Sequence, residues 1–253
     1  MDLGLTGKRA LITGASKGIG RAVAKTLAAE GCDLHLVARS GELLAELAAE
    51  LVSSHACQVR WSALDLADSA TLERLCTEAG PLDILVNNAG AIPAGTLDMV
   101  DEATWRAAWD LKVFGYINLT RRVYADMRGR GGVIINVIGA GGERVTAGYL
   151  AGAGGNAALM AVTRALGGVS SRDGIRVVGI NPGLIETERL VTMQRTHATR
   201  VLGDPERWRE MLDPDFPPGQ PEHIADMVAF LASSRSGNTT GTVITIDGGM
   251  CAR

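Results

Sequence analysis

Residues Ala10-Leu11-Ile12 form a short apolar run that leads directly into Thr13-Gly14-Ala15-Ser16-Lys17-Gly18-Ile19-Gly20, and Arg21-Ala22-Val23-Ala24-Lys25-Thr26-Leu27 then carries a helical pattern. A strand that turns through clustered glycines into a helix exposes backbone N–H groups at the helix N-terminus. Those groups and the helix dipole favour an anion there, a pyrophosphate above all. The order is G-x-x-x-G-x-G instead of G-x-G-x-x-G, so the turn first predicts a strand–helix unit, with Gly14, Ser16, Lys17, Gly18, Ile19 and Gly20 as its candidate phosphate contacts.

The remainder of the chain repeats the same unit. Apolar, β-branched runs predict buried parallel strands at Ala10 to Thr13, Asp33 to Ala38, Val59 to Leu64, Ile84 to Asn87, Val133 to Ile138, Val177 to Ile180 and Val243 to Asp247. Helical patterns fall between them at Gly20 to Glu30, Gly41 to Ser53, Ser69 to Glu78, Ala103 to Met127, Gly152 to Leu166 and Pro221 to Ala232. The expected fold class is α/β: a Rossmann-type, doubly wound, mostly parallel seven-stranded sheet with helices on both faces. With 253 residues, 46% of them hydrophobic and no shift in composition, residues 1–253 are expected to bury one core as a single domain. One connection is unusually long: 188–221 holds Pro205, Pro214, Pro217 and Pro218, and reads as an irregular substrate loop or lid beside the carboxyl-end crevice.

Charge and cysteine usage exclude several classes. The net charge is −3 and no Lys/Arg run forms a stripe, so nucleic-acid binding has no electrostatic basis. No apolar run approaches the ~20 residues of a membrane helix, and Met1-Asp2-Leu3-Gly4-Leu5 lacks the basic start and apolar middle of a signal peptide. Cys32, Cys57, Cys76 and Cys251 are scattered, which predicts reduced thiols in a cytoplasmic protein and no metal site. His35, His55, His197 and His223 have no ligand spacing and read as structural or exposed.

Cofactor choice follows from the end of the second strand, Leu36-Val37-Ala38-Arg39-Ser40. A nicotinamide cofactor without a 2′-phosphate usually meets a carboxylate there, and the phosphorylated form a cation. Arg39, helped by Lys17, predicts NADP(H) over NAD(H).

With Asp65-Leu66 after the third strand, Asn87-Asn88-Ala89-Gly90 after the fourth, Asn181-Pro182-Gly183 with Thr187 after the sixth, and Asp247-Gly248-Gly249 near the end, the chain resembles the short-chain dehydrogenase/reductase family over nearly its whole length. The resemblance implies that Asp65 and Leu66 flank the adenine, that Asn88, Ala89 and Gly90 line the adenosine ribose side, and that Pro182, Gly183, Ile185 and Thr187 face the carboxamide and phosphates. It also implies a small-molecule substrate, and a homodimer or homotetramer paired through the long helix and the Gly152 to Leu166 helix.

The chemistry departs from the family. Its members carry an Asn, a Ser and a Tyr-x-x-x-Lys, in which the lysine lowers the tyrosine pKa so that tyrosine can protonate a carbonyl. Anchored on Ala157-Ala158-Leu159 and Thr163-Arg164-Ala165-Leu166, the Lys position falls on Asn156, the Tyr position on Gly152 and the Ser position on Gly139. The Asn position falls on Lys112, the last lysine in the chain. Two readings follow. In one, the site is rebuilt: Lys112 projects into the cavity, Asn156 bonds the nicotinamide ribose, and Tyr149, one turn before Gly152, or Glu143, in an apolar pocket that raises its pKa, supplies the acid. In the other, the protein is a catalytically inactive NADP(H)-binding sensor or interaction protein, and Gly139 to Gly142 with Gly152 to Gly155 open a wide cavity. Tyr116 is expected in a helix–helix interface, and Trp105 and Trp109 on one apolar face.

Overall fold

The computed structural model describes residues 2–252. Seven strands form one sheet: β1 (Arg9–Thr13), β2 (Asp33–Ala38), β3 (Val59–Ala63), β4 (Ile84–Asn87), β5 (Gly132–Val137), β6 (Ile175–Pro182) and β7 (Val243–Ile246). Their order is β3-β2-β1-β4-β5-β6-β7, and every neighbouring pair is parallel. The chain therefore reverses direction across the sheet between β1 and β4, and a crevice opens there at the carboxyl ends.

The central β-branched runs work as strands because both of their faces are covered; the burial expected of Val59 to Leu64 is not found along β3, because it is an edge strand with Arg60, Trp61 and Ala63 exposed. Ile84, Val86, Val133 and Ile135 point to one side, among residues of α1 (Gly18–Ala29), α2 (Gly41–Ser54) and α8 (Pro221–Ala232). Leu85 and Ile134 point to the other, against α3 (Ser69–Ala79) and α5 (Gly115–Met127). A buried polar chain fixes this second layer. Asn87 donates to Thr120 at 3.0 Å and to Asn136 at 2.9 Å, and Asn136 donates to Thr163 at 2.9 Å. These bonds tie β4 and β5 to α5 and to α6 (Leu150–Ser170) and satisfy the buried amide nitrogens of Asn87 and Asn136.

Three elements differ from the sequence expectation. The helix expected from Ala103 to Met127 is instead α4 (Glu102–Trp109) and α5 joined by a π turn, Asp110–Phe114. A π turn inserts an extra residue into the helical repeat, a local change that hydrophobic periodicity does not register. The 188–221 connection is not irregular: α7 (Glu188–Leu202) opens it, with Thr187 as N-cap accepting from the Leu190 N–H, and a 3₁₀ segment, Pro205–Met211, packs on α7. The prolines fall after α7, which Gly203 terminates in the left-handed conformation, and Pro205 opens the 3₁₀ segment. Finally, α6 starts at Leu150, so Tyr149 is its N-cap, with φ −143° and ψ 38° outside helical geometry, and does not lie on its face. Among the described residues, no helix is long and apolar enough to cross a membrane.

Two adjacent glycines of α6 make the packing testable. A Cβ on Gly167 would lie 2.3 Å from the Gly241 nitrogen, whereas a Cβ on Gly168 would meet nothing within 4 Å. Gly167→Ala should destabilise by about 1–3 kcal/mol through overpacking against backbone. Gly168→Ala should stabilise by about 0.5–1 kcal/mol through helix propensity. Thermal denaturation of both variants should show opposite signs; the same sign would contradict this packing.

Candidate active site

A cleft of 810 Å³ lies at the carboxyl end of the sheet, floored by the β1–α1 turn, the β2 end, the β4 loop and the π turn, and covered by the start of α7. At two of its glycines the turn leaves no room for a side chain. Gly14 has φ +67°, and a Cβ there would sit 2.9 Å from the Ala89 Cα; a Cβ on Gly20 would sit 2.2 Å from the Gly14 carbonyl oxygen. Thr13 holds the neighbouring loop, its hydroxyl accepting from the Asn88 and Ala89 N–H groups at 2.9 and 3.0 Å. The Asn88 amide returns a bond to the Thr13 carbonyl at 3.0 Å.

The first turn of α1 has no side-chain cap, because Lys17 at the N-cap position makes no such bond. Its free N–H groups open on a glycine-walled cleft whose lining includes the cations Lys17 and Arg39, the arrangement a dinucleotide phosphate requires. The residues present therefore fit NADP(H). Lys17 is paired with Glu188 of α7 at 2.7 Å, while Arg39 is exposed at the β2 end beside Ser40.

Lys112, in the π turn, lines the inner part of the cleft. Its stem lies on Gly90, where a Cβ would come within 2.8 Å of the lysine Cδ, and its Nζ donates to the Ile138 carbonyl. Part of its surface faces the cleft, yet desolvation by the surrounding protein pushes the ammonium down from 10.5 to about 7, and the nearby charge of Arg189 acts in the same direction. Among the described residues no carboxylate pairs with it: Glu102 is bound to Arg106 instead.

The cavity expected from the glycines is occupied. A Cβ on Gly152 would lie 1.9 Å from Cζ of Tyr149, so the Tyr149 ring folds back over Gly152 and fills the space that a side chain there would need. Gly152 is what permits this conformation. Burial raises the Tyr149 pKa above the ordinary phenol value, opposed by the charge of Arg189. Gly139, with φ +135°, abuts the Asn156 amide, its Cβ position being 3.0 Å from Nδ2; a Cβ on Gly142 would collide with Met160. Asn156 is buried, and its Oδ1 has no hydrogen-bond partner. Glu143 is exposed, and its carboxylate accepts from the Thr245 hydroxyl at 2.7 Å; the apolar pocket expected around it is not there.

Of the residues singled out in the sequence, Gly14, Ser16, Lys17, Gly18, Ile19, Arg39, Leu66, Asn88, Ala89, Gly90, Lys112, Pro182, Gly183 and Thr187 line the cleft together. Gly20, Asp65, Asn156, Ile185, Tyr149 and Glu143 do not line it. Gly20 packs beneath the turn, and Asp65 is exposed with its carboxylate accepting from the Ala67 N–H at 3.1 Å. Ile185 is buried in the core. Tyr116, expected between helices, is buried and donates to the Val137 carbonyl at 2.9 Å, packed with Leu159 and Met160 of α6. Trp105 and Trp109 do share a face, with ring centroids 6.3 Å apart.

Sequence reasoning passed over Arg189, Leu111, Leu43 and Met193, all in the lining. Arg189 carried a usable signal, a cation two residues beyond Thr187. Its guanidinium donates to the Gly90 carbonyl at 3.1 Å and to the Ile92 carbonyl, spanning from α7 to the β4 loop.

Comparison with known proteins gives a consistent result. A family model described as enoyl-(acyl carrier protein) reductase matches residues 14–251. L-xylulose reductase of Mus musculus is 34% identical over 258 residues, covering 100% of both chains. The 3-oxoacyl-[acyl-carrier-protein] reductase FabG of Escherichia coli (strain K12) is 34% identical over 254 residues, covering 96% of this chain and 97% of its own. The crystal structure of L-sorbose reductase from Gluconobacter frateurii, complexed with NADPH and L-sorbose, superposes with a TM-score of 0.92 at 33% identity, covering 100% of both chains.

The position of Arg39 predicts its role. Arg39→Asp should weaken NADP⁺ binding by about tenfold or more, the loss of one charge-assisted phosphate contact, and change NAD⁺ binding far less. Fluorescence titration measures both affinities; equal losses for the two cofactors would remove Arg39 from the phosphate site.

Proposed function

The chain belongs to the short-chain dehydrogenase/reductase family, and from that premise we propose that it is an NADP(H)-dependent oxidoreductase that interconverts a carbonyl and an alcohol, with Lys112 as the proton donor. The observation that carries this reading is a lysine held in the cleft, its stem on Gly90 and its Nζ fixed by the Ile138 carbonyl, where desolvation lowers the ammonium toward neutrality. A general acid works best when its pKa lies near the working pH, and burial has brought Lys112 there without a tyrosine partner.

The Gly-rich turn, the uncapped N-terminus of α1, Lys17 and Arg39 would hold the phosphates of NADP(H). When bound, the nicotinamide supplies or accepts hydride. Lys112 does the rest of the proton work: its Nζ–H⁺ gives a proton to the carbonyl oxygen as negative charge develops, leaving a neutral amine. The Ile138 carbonyl accepts from Nζ and so fixes where the ammonium points. Release to solvent and reprotonation are both easy for an amine that titrates near neutrality. Tyr149 packs over Gly152 outside the lining of the cleft, and burial, by raising its pKa, makes it a poor source of the proton. Glu143 has no part in this chemistry, because it is exposed and engaged with Thr245.

A silent NADP(H) binder is the second reading. It is favoured by the filled space at Gly139 and Gly152, where the family's serine and tyrosine have no counterpart in place. Pairing of two copies through α5 and α6 belongs to the proposal too, supported by exposed Phe114 and Val169 on those flanks, and light scattering would test it.

Turnover separates the readings. Lys112→Met keeps the stem against Gly90 and removes the ammonium, so it should lower kcat by ~10²-fold with NADPH affinity little changed. Undiminished turnover would exclude Lys112 as donor. The pH profile gives a second check. Reduction needs the protonated amine, which is present below about 7, so kcat/KM for reduction should fall as pH rises through that value and the reverse oxidation should gain. A flat profile from pH 6 to 9 would count against the assignment.

A further inference from the structure

The charges that line the cleft do not cancel. Lys17, Arg39, Lys112 and Arg189 face one carboxylate, Glu188, and that carboxylate is taken up by Lys17 at 2.7 Å. Lys17 and Arg39 sit at the turn and the β2 end, where dinucleotide phosphates answer them. Lys112 and Arg189 meet instead at Gly90, whose Cα carries the lysine stem and whose carbonyl accepts from the guanidinium at 3.1 Å. Among the described residues, Arg189 pairs with no carboxylate; its acceptors are the neutral carbonyls of Gly90 and Ile92. Glu186, three residues before Arg189 in the chain, is instead bound to Arg209 and Gln220.

Two cations side by side, one of them desolvated, call for an anion in the same space. A guanidinium has five N–H donors in a planar fork suited to a carboxylate, and the two backbone bonds leave some of them free. The substrate of a carbonyl reductase has one neutral oxygen for Lys112, so the second cation requires a second group on the same molecule. Resting on the reading of this cleft as a reductase site, we propose that its substrate class is an oxo acid, with its carboxylate on Arg189 and its carbonyl oxygen at Lys112. Reduction then converts the oxo acid to the corresponding hydroxy acid, with hydride from NADPH to the carbonyl carbon and a proton from Lys112 to the oxygen. Arg189 is a binding residue for the carboxylate and takes no part in proton transfer.

The test uses the full-length protein with 2-, 3- and 4-oxopentanoate and the methyl ester of each. At least one acid should exceed its own ester by roughly tenfold in kcat/KM, the order expected of one charge-assisted pair. Arg189→Gln should bring that ratio near one, mainly through KM, and Arg189→Lys should restore part of it. A second readout needs no turnover: by calorimetry, pentanoate should bind the wild-type protein loaded with NADP⁺ and fail to bind Arg189→Gln. Esters turned over as well as acids would overturn the substrate class and leave the reductase reading intact. Equal losses for acid and ester in Arg189→Gln would make Arg189 a strap between α7 and the β4 loop, and would overturn the proposal. A tenfold loss of NADPH affinity with the acid preference retained would assign the guanidinium to cofactor phosphate, also overturning it. Pentanoate binding that depends on Arg189, with no substrate turned over, would support the anion site and defeat the reductase reading.

Discussion

Backbone passes backbone at the carboxyl end of this sheet more closely than any side chain would permit, and the rest of the site is arranged around that approach. Gly20 lies against the Gly14 carbonyl, and Gly14 lies against Ala89, with a Cβ on either too close to be accommodated. Thr13 and Asn88 lock the approach with reciprocal hydrogen bonds between the β1 and β4 loops. The consequence is a helix N-terminus brought up to the crevice with its N–H groups unsatisfied, at the point where strand order reverses. An anionic cofactor meets that need more cheaply than any side chain the turn leaves room for.

The same economy of volume rebuilds the chemical end of the cleft. Positions that would bear the family's serine and tyrosine are glycines, but the volume is not empty: the Tyr149 ring occupies the place of a side chain on Gly152, and the Asn156 amide crowds Gly139. Lys112 reaches the cleft from the π turn across Gly90, whereas Asn156, at the family's lysine position in α6, does not line it. In the family logic a lysine charge lowers a tyrosine pKa. Here burial lowers the lysine itself to about 7 and raises the tyrosine, so the two groups exchange suitability for proton transfer. Desolvation is the dominant cause for both, and it favours the neutral form in each case.

The middle of the sheet was legible because buried parallel strands leave continuous apolar, β-branched runs, and all seven strands were placed to within a few residues although edge strand β3 is largely exposed. The turn from Gly14 to Gly20 was legible because close approach admits only glycine. What escaped was set by tertiary packing. Prolines after Leu202 suggested an irregular loop and concealed α7, whose amphipathic pattern and Thr187 cap were present in the sequence. The π turn at Asp110–Phe114 leaves no periodic signature, although it carries Lys112 into the cleft. Residue spacing alone suggested that Tyr149 would continue the face of α6; the ring turns back because Gly152 beneath it has no Cβ. Arg189 reads as one more exposed helix cation until its contacts with Gly90 and Ile92 are seen.

The claim on which the chemistry depends is that Lys112 titrates near neutrality. The chain has only Lys8, Lys17, Lys25 and Lys112, so an NMR titration of ¹³Cε-labelled lysine would give four signals, with Lys112 identified by its loss in Lys112→Met. The structure predicts three signals titrating in the ordinary lysine range and one, that of Lys112, moving at about 7. A Lys112 signal that titrates with the others near 10.5 would contradict the account and leave the cleft without its proton donor.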